Sequence, residues 1–269
     1  MTENAFGMID CFRLDGKVSL VTGASRGLGL AIAEALAGAG SDLVVNGRVG
    51  ETLEEVAGSI REKTGRKVLV AEGDVSDMDT IQEIVSKTIG EFGKVDVLVN
   101  NAGINIRGDS SDYTEEDWDK VTDVNLKGVF FLSQACANKM LERGEGGKII
   151  NILSLASMFG LPGIPAYAAA KGGLTQVTKT LAVEWAPQNI QVNGIAPGFF
   201  ATSLTEGLRQ QPHRNQWILR RIPTKRWGKP VELTGAAIFL ASSASDYVTG
   251  QALYVDGGFI SGSDWRSEE

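Results

Sequence analysis

Tyr167 and Lys171 are the two side chains of this sequence whose types and spacing best suit proton transfer. Residues from Pro165 onward are good helix formers, and positions four apart on a helix share a face. A phenol has an unperturbed pKa of about 10, so a neighbouring ammonium group is expected to favour the phenolate and lower that pKa. Ser154, which precedes the predicted helix, can hydrogen-bond a substrate oxygen. On spacing alone, an ordinary helix with a tyrosine at the core edge and a solvated lysine is the more common explanation.

Composition limits the classes of function. The chain has 269 residues, of which 43% are hydrophobic and 22% charged, so it can bury a large core. A net charge of -7 argues against a nucleic-acid partner, whose binding needs a basic surface. No segment predicts a membrane span, and the acidic N-terminus does not resemble a signal peptide. Cys11 and Cys136 are too few for a disulfide framework, and the single histidine, His213, argues against a histidine-based metal site. We therefore expect a cytoplasmic protein without a metal site.

A glycine-rich turn follows the first predicted strand, residues 17–22. It carries Gly23, Gly27 and Gly29 and is followed by a helical pattern. Glycines allow a tight turn and a close approach to a pyrophosphate, whose charge the N–H groups of the helix start can meet. A plain loop between strand and helix is the alternative. The strand before the turn and the helix after it favour phosphate binding by a dinucleotide site.

The second predicted strand, residues 41–46, ends where dinucleotide-binding proteins usually carry an acid for the adenosine ribose. Here the chain has Asn46 and Arg48 and no acidic residue. Arg48 can pair with a 2′-phosphate, with Arg26 in the glycine turn as a second cation. This favours NADP over NAD, although two merely solvated arginines would be compatible with NAD.

The rest of the chain continues the alternation of strands and helices. About seven strands in one series predict a single-domain Rossmann fold of the α/β class, a doubly wound parallel sheet with helices on both faces. Ligands of such sheets bind beyond the carboxyl ends of the strands. The later strands are predicted over 67–72, 95–99, 148–153, 190–196 and 252–255, and helices over 52–64, 78–92, 115–143 and 231–240.

Polar and small residues follow two of these strands at the expected ligand edge. Asp74, next to Val75, can accept a hydrogen bond from an adenine amino group or can cap the following helix. Asn101, Ala102 and Gly103 follow the fourth strand and can line a cofactor crevice.

Together these motifs closely resemble those of the short-chain dehydrogenase/reductase family. The resemblance extends from about residue 16 to residue 258 and implies an NAD(P)-dependent oxidoreductase that interconverts a secondary alcohol and a ketone by hydride transfer. It makes the ordinary-helix explanation of Tyr167 and Lys171 the weaker one. The motifs that carry it are TGASRGLG at 22–29, NNAG at 100–103, Asn125, Ser154, YAAAK at 167–171 and PGFFAT at 197–202.

The resemblance implies a role for each matching residue. Tyr167 would be the general acid or base and Ser154 would orient the substrate oxygen. Lys171 would hold the nicotinamide ribose, and Asn125 would anchor a water that links Lys171 to solvent. Thr202 would contact the carboxamide or phosphates. The predicted cofactor-binding residues are Gly23, Ser25, Arg26, Gly27, Leu28, Gly29, Asn46, Arg48, Asp74, Val75, Asn101, Ala102, Gly103, Tyr167, Lys171, Pro197, Gly198 and Thr202.

Within the family, segments 46–48, 167–174 and 222–258 are most similar to gluconate 5-dehydrogenases and, less closely, to 3-oxoacyl-carrier-protein reductases. This implies a sugar acid substrate such as gluconate or 5-ketogluconate. The alternatives are a 3-oxoacyl-carrier-protein or xenobiotic carbonyl reductase and, more remotely, a non-catalytic nucleotide-binding regulatory protein. The family resemblance also implies a homotetramer.

A lid over the substrate is expected at about residues 199–228. Its cations predict attraction of a carboxylate or phosphate, with Arg220 and Arg221 as candidates to read the anion, whereas a solvated lid or a subunit contact is the alternative. Trp217 and Trp227 suit packing against substrate or a neighbouring subunit. Between residues 207 and 231 there is no acidic residue, and the basic ones are Arg209, Arg214, Arg220, Arg221, Lys225, Arg226 and Lys229.

The domain boundaries follow from the extent of the resemblance. We expect residues 1–15 to be an N-terminal extension and residues 16–269 to form the single catalytic domain. The segment 250–259 is consistent with a subunit contact, and residues 260–269 are expected to reach over a neighbouring site.

Overall fold

A seven-stranded parallel sheet forms the centre of the computed structural model, which describes residues 9–262. The strand order is β3-β2-β1-β4-β5-β6-β7, so the order reverses between β1 and β4. This arrangement confirms the predicted doubly wound parallel sheet, and the reversal opens a crevice at the carboxyl ends of β1 and β4. The strands are β1 (Val18–Val21), β2 (Asp42–Gly47), β3 (Val68–Glu72), β4 (Val97–Asn100), β5 (Gly147–Ile152), β6 (Ile190–Pro197) and β7 (Ala252–Val255).

Helices cover both faces of the sheet. One hydrophobic core lies under α1, α2 and α9 and includes Ile32 and Leu240, whereas the other lies under α3, α5 and α6 and includes Ile84 and Leu181. The helices are α1 (Gly27–Gly38), α2 (Gly50–Thr64), α3 (Met78–Phe92), α4 (Glu115–Thr122), α5 (Gly128–Arg143), α6 (Pro165–Trp185), α7 (Glu206–Arg209), α8 (Pro212–Arg221) and α9 (Thr234–Ala241).

The strands are mostly apolar because both of their faces are buried. Ile149 of β5 belongs to the core under α3, α5 and α6, and the next residue, Ile150, belongs to the opposite core. Successive side chains of a strand point to opposite faces, so such a strand favours apolar residues along its length. The two buried polar residues within β5 have partners, since Nζ of Lys148 donates to Oδ1 of Asp246 at 2.7 Å and Nδ2 of Asn151 donates to Oγ1 of Thr178 at 2.9 Å.

The segment 115–143 is not one helix as predicted. A π turn at Asp123–Lys127 separates α4 from α5. Immediately after it, Gly128 approaches the backbone that follows β3, where a Cβ atom would lie 2.1 Å from the carbonyl oxygen of Val75. Only a glycine allows this contact, and it holds the π turn beside the ligand edge. The predicted helix 231–240 likewise begins as a 3-10 helix, Pro230–Leu233, before α9.

Part of the N-terminal extension packs on the body of the protein. Phe12 lies with its ring centroid 6.4 Å from that of Phe239, and the N–H of Leu14 donates to the carbonyl of Ala39 at 2.8 Å. The start of the extension and most of the tail after residue 259 lie outside the described residues. Between residues 9 and 262, no helix has both the length and the apolar character that a membrane crossing requires.

Candidate active site

The segment between β5 and α6 brings Ser154 and Tyr167 together. Ser154 follows β5, and its Oγ accepts a hydrogen bond from the N–H of Ala156 at 3.1 Å, which starts a short 3-10 helix. α6 begins at Pro165, where the missing N–H would have had no helical partner. Tyr167, in the first turn of α6, lies close enough to Ser154 for the serine hydroxyl to lower the pKa of the phenol. The fold thus brings Ser154 and Tyr167 to the same place.

Lys171 lies one turn after Tyr167 on the same face of α6. Its Nζ atom is 5.7 Å from the centroid of the Tyr167 ring and donates to the carbonyl of Ile152 at 2.7 Å. Only 4% of Lys171 is exposed. An ammonium group in so dry an environment loses part of its hydration, and burial accordingly lowers the pKa of Lys171 to about 8.

The expected lowering of the Tyr167 pKa is wrong for the chain by itself. Burial of the phenol raises the pKa of Tyr167, and the neighbouring Ser154 hydroxyl only partly opposes this effect. The physical reason is that burial disfavours the charged form of both groups, the phenolate as well as the ammonium. Tyr167 therefore holds its proton at neutral pH and is ready to act as an acid.

Asn125 sits within the π turn and is completely buried. Its Nδ2 donates to the carbonyls of Ile104 and Val121, each at 2.8 Å, whereas its Oδ1 has no partner among residues 9–262. A Cβ atom on Gly103 would lie 2.6 Å from this oxygen, so the NNAG turn is packed against it. A buried acceptor without a protein partner is a suitable site for an ordered water.

The glycine turn is built to bring backbone close to a ligand. Gly23 and Gly27 have φ values of +63° and +62°, a conformation that glycine adopts without strain. A Cβ atom on Gly29 would lie 2.2 Å from the carbonyl oxygen of Gly23. Asn101 braces the same turn, because its Nδ2 donates to the carbonyls of Thr22 and Gly23 at 2.9 and 3.1 Å. The contact that Asn101 makes is therefore to the turn itself.

The start of α1 is available to a phosphate group. Arg26 is its N-cap residue and makes no capping hydrogen bond through its side chain, so the first N–H groups of α1 are not capped by it. The PGFFAT segment faces this helix start, since a Cβ atom on Gly27 would lie 3.8 Å from Cβ of Thr202. Uncapped N–H groups and a helix dipole favour an anion here. These residues fit the pyrophosphate of a dinucleotide.

At the carboxyl ends of β1 and β2 the predicted cofactor residues are of two kinds. Arg26 and Arg48 are exposed and form no ion pair with any residue of the described part of the chain. Asn46 is buried, and its Nδ2 donates to the carbonyls of Ala71 and Gly73, which fixes the end of β3. The two arginines are thus free to meet a ligand, whereas the amide of Asn46 supports the backbone around it.

Asp74 does not cap the helix that follows it. Its Oδ1 accepts from the N–H and the hydroxyl of Ser76, at 2.9 and 2.8 Å, whereas Asp77 caps α3 by accepting from the N–H of Thr80 at 2.8 Å. The alternative that Asp74 caps the following helix is therefore wrong. The adenine contact stays a prediction.

The other predicted cofactor residues lie at the same edge of the sheet. The N–H of Ala102 donates to Oγ1 of Thr22 at 3.0 Å, and Gly198 packs so closely on the end of β7 that a Cβ atom would lie 2.6 Å from Cα of Asp256. Ser25 and Leu28 are half-buried in the turn and helix start, Val75 is buried after β3, and Pro197 ends β6.

Residues 199–228, the predicted lid, contain α7 and α8, and their cations are not equivalent. Arg226 forms a two-pronged ion pair with Glu232, at 2.7 and 2.6 Å, so an acid just beyond the basic stretch neutralises it. Trp227 packs within the chain, because its ring contacts Phe199 at 5.6 Å and its Nε1 donates to Oδ1 of Asn215 at 2.8 Å. Arg226 and Trp227 thus have partners inside the chain.

Arg107 was not singled out in the sequence. It lies in the loop after the NNAG turn, and the N–H of Gly108 donates to the carbonyl of Gly163 at 3.2 Å, which joins this loop to the segment before Tyr167. Partial burial and then the charge of Arg214 on α8 lower the pKa of Arg107, so the two cations are close enough for their charges to repel. A basic residue four positions after Gly103 was the available signal.

Comparisons with known proteins agree with one another. The family model described as enoyl-(acyl carrier protein) reductase matches residues 23–260. The 2-dehydro-3-deoxy-D-gluconate 5-dehydrogenase of Dickeya dadantii is 47% identical over 255 residues, 94% of this chain and 99% of that protein. The gluconate 5-dehydrogenase of Gluconobacter oxydans is 44% identical, over 93% of this chain and 96% of that protein. Among solved structures, a gluconate 5-dehydrogenase from Burkholderia cenocepacia in complex with NADP and tartrate superimposes with a TM-score of 0.91, at 43% identity over 94% of this chain and 99% of that one.

Proposed function

The chain belongs to the short-chain dehydrogenase/reductase family, and from this premise we propose that it is an NADP-dependent oxidoreductase that interconverts a secondary alcohol and a ketone on a sugar acid. The family membership read from the motifs is confirmed. The observation that carries the proposal is the arrangement of Ser154, Tyr167 and Lys171 on one side of the crevice, with the uncapped start of α1 on the other.

Proton transfer is the part of the reaction that this chain's own side chains perform. When bound, the nicotinamide supplies or accepts the hydride. In the direction of reduction, the Tyr167 hydroxyl gives its proton to the carbonyl oxygen of the substrate, and in oxidation the phenolate takes it back. Ser154, which lies beside Tyr167, orients the same oxygen. The raised pKa of Tyr167 suits the acid role at neutral pH.

Lys171 and Asn125 are proposed to support proton transfer by Tyr167. Lys171 is proposed to hold the nicotinamide ribose, and its position over the Tyr167 ring lets its charge favour the phenolate once the cofactor is in place. The unpartnered Oδ1 of Asn125 is proposed to accept from a water that connects Lys171 to solvent. Proton uptake would then not require the substrate cleft to open.

NADP is the proposed cofactor. Arg26 and Arg48 have exposed side chains without an ion-pair partner between residues 9 and 262, and they follow the two strands beside which the adenosine ribose of a dinucleotide lies. A guanidinium group pairs well with a 2′-phosphate, whereas a ribose hydroxyl gains little from it. The bound NADP in the solved relative supports the same choice.

A sugar acid is the proposed substrate. The charge of Arg214 acts on Arg107, and a carboxylate bound near both would relieve their repulsion. The relatives are named as dehydrogenases of gluconate and of 2-dehydro-3-deoxy-D-gluconate. These names support an anionic polyol as the substrate. A 3-oxoacyl thioester, the alternative raised by the sequence, has a neutral chain beside its ketone.

We propose further that the chain forms a homotetramer in the cytoplasm. β7 is an edge strand with one unpaired side, and 39% of Leu253 on that strand is exposed, which supports a subunit contact there. Light scattering coupled to size exclusion measures the mass of the assembly. Fractionation of the cells tests the location.

The proposed activity is tested by binding and then by turnover. Quenching of tryptophan fluorescence gives the dissociation constants of NADPH and NADH. Steady-state kcat/KM is then compared for 5-ketogluconate, for a neutral ketose of similar size and for a 3-oxoacyl thioester. We expect tighter binding of NADPH and the highest kcat/KM for the keto acid. A higher kcat/KM for the thioester would replace the proposed substrate, and failure to bind either cofactor would overturn the proposed function.

A further inference from the structure

Arg221, the last residue of α8, lies among three aromatic rings. Its guanidinium carbon is 4.9 Å from the centroid of Phe159, 5.1 Å from that of Phe259 and 5.3 Å from that of Trp217. A guanidinium group within about 6 Å of an aromatic ring face is attracted by the ring quadrupole. Three such contacts on one cation form an aromatic cage, a term used below for Phe159, Trp217 and Phe259.

The members of the aromatic cage come from three separate parts of the fold. Phe159 lies between Ser154 and Tyr167, Trp217 is on α8 with Arg221, and Phe259 follows β7. The rings also contact each other, at 5.5 Å between Phe159 and Phe259 and 6.3 Å between Trp217 and Phe259. Arg221 is therefore one point at which α8 meets both the segment between Ser154 and Tyr167, called the catalytic loop below, and the segment after β7.

No acid partner explains the position of Arg221. Within residues 9–262 its side chain forms no ion pair, and its Nε is buried without a hydrogen-bond partner. The nearby cations Arg220 and Arg226 have different surroundings, because Arg226 is paired with Glu232 and Arg220 is exposed. Aromatic rings surround the Arg221 guanidinium group. Arg221 is therefore a poorer candidate for binding the substrate anion than its sequence position suggests.

Holding Arg221 also sets the orientation of α8. Arg214 precedes Arg221 by seven residues, which is close to two helical turns, so both point from the same face. Ile218 lies between them on that face and is buried against Leu155, next to Ser154. The contact at Arg221 thereby fixes the position of Arg214, whose charge lowers the pKa of Arg107.

We propose that Arg221 is a positioning residue, which latches α8 onto the catalytic loop through the aromatic cage and so places Arg214 for the substrate carboxylate. The inference deepens the proposed function and rests on it for the identity of the ligand. The latch itself is a relation between parts of this chain. It can be measured without any substrate.

The first test is hydrogen–deuterium exchange of the NADPH-bound protein, followed over residues 206–222. Arg221→Leu is expected to speed exchange of this segment about tenfold, by loss of the cation–π contacts. The exchange rate in Arg221→Lys should lie between those of the wild type and Arg221→Leu, because an ammonium retains the charge but does not stack as a planar group. Gln216→Leu, an exposed position on the same helix, is the matched control and should leave exchange unchanged.

Coupling to the aromatic cage separates a latch from a general loss of stability. Phe159→Leu should speed exchange of 206–222 as Arg221→Leu does, and the double variant should be no faster than either single variant. Exchange of β4 and β5 should stay at the wild-type rate in all three. Additive effects, or equal exchange in Arg221→Leu and Gln216→Leu, would overturn the proposal. If Arg221→Leu does not fold, Arg221→Lys and Phe159→Leu provide the same comparison.

Kinetics then connect the latch to the substrate. Arg221→Leu is expected to raise KM for a keto acid about tenfold while kcat changes by less than about twofold, because the latch affects ground-state binding. An unchanged KM would remove the proposed link to Arg214. If no sugar acid is turned over by the wild type, the proposed function fails, whereas the exchange measurements still decide whether Arg221 holds the lid.

Discussion

Lys171 lies over the ring of Tyr167, with its Nζ 5.7 Å from the ring centroid, and gives its hydrogen bond to the Ile152 carbonyl rather than to the phenol oxygen. The two groups therefore interact through charge and burial. Burial raises the pKa of the phenol and lowers that of the ammonium, so both lean toward their neutral forms before a cofactor binds. A charged, hydrogen-bonding cofactor at this site would change that balance, which makes proton transfer depend on cofactor binding.

Removal of the Tyr167 hydroxyl tests its role as the acid. Tyr167→Phe should lower kcat by roughly 10²- to 10⁴-fold, the range for a positioned general acid. The dissociation constant of NADPH should change little, because the ring stays in place under Lys171. Tyr247→Phe is the control, since Tyr247 is fully exposed. Wild-type turnover in Tyr167→Phe would refute the assignment.

Lys171 should make stability depend on pH in a recognisable window. Burial lowers its pKa in the folded chain to about 8, from an ordinary 10.5. Between these values the unfolded chain binds more protons than the folded one, so the free energy of unfolding contributed by Lys171 rises with pH. Relative to Lys171→Met, the wild type should gain about 3 kcal/mol from pH 8 to pH 10.5.

The measurement is urea unfolding of both proteins across that range. The lost hydrogen bond to Ile152 is independent of pH and cancels in the slope. Below pH 8 the difference should be constant, because both states of the wild type then carry the proton. A difference that stays flat up to pH 10.5 would show that Lys171 is not desolvated as described.

Two glycine substitutions in α1 test the predicted phosphate site, one at the glycine turn and one at the far end of the helix. Gly29→Ala places a Cβ atom 2.2 Å from the Gly23 carbonyl oxygen, so the turn must move and NADPH binding should be lost. Gly38→Ala, at the other end of α1, meets no atom within 4 Å. It should be neutral or stabilise the chain by about 0.5 kcal/mol, through reduced entropy of the unfolded state. Fluorescence titration with NADPH and thermal unfolding distinguish the two, and equal affinities would count against the phosphate site.

The sequence predicted the sheet, the glycine turn and the Tyr167–Lys171 face because each depends on local spacing. It did not predict the π turn around Asn125, since the apolar pattern of 115–143 continues through it without a break. The raised pKa of Tyr167 was also missed, because it follows from burial in the finished fold. Trp217 and Arg221 are one helical turn apart, but Phe159 and Phe259 are distant from them in sequence and reach them only when α8 packs on the core.

Arg48 should determine the choice of cofactor. A guanidinium group bonded to a phosphate contributes about 1.5–3 kcal/mol, so Arg48→Ala should weaken NADPH binding roughly 10- to 100-fold. NADH binding should change little, because its ribose lacks the phosphate. Arg66→Ala is the control, since Arg66 is engaged by Asp42 at 2.8 Å. An equal loss for both cofactors would mean that Arg48 supports structure rather than the 2′-phosphate.

Arg107 should distinguish acidic from neutral substrates. Its lowered pKa reflects burial and the nearby charge of Arg214, and with Gly108 bonded to Gly163 its loop is held beside the segment that carries Tyr167. Arg107→Gln should therefore raise KM for a keto acid about 10- to 100-fold, the loss of a charge-assisted hydrogen bond. KM for a neutral ketose should change much less, and kcat should fall little for either, because proton transfer stays with Tyr167.

Ionic strength gives a second readout of the same contact. The wild-type KM for the acid should rise with added salt, and Arg107→Gln should show a weaker dependence, since one attracting charge is gone. Lys179→Gln, an exposed cation on the outer part of α6, removes the same net charge and controls for the overall field. If Lys179→Gln and Arg107→Gln shift KM alike, the effect is one of net charge. A specific shift for Arg107→Gln, confined to acidic substrates, is the result expected of a carboxylate held between Arg107 and Arg214.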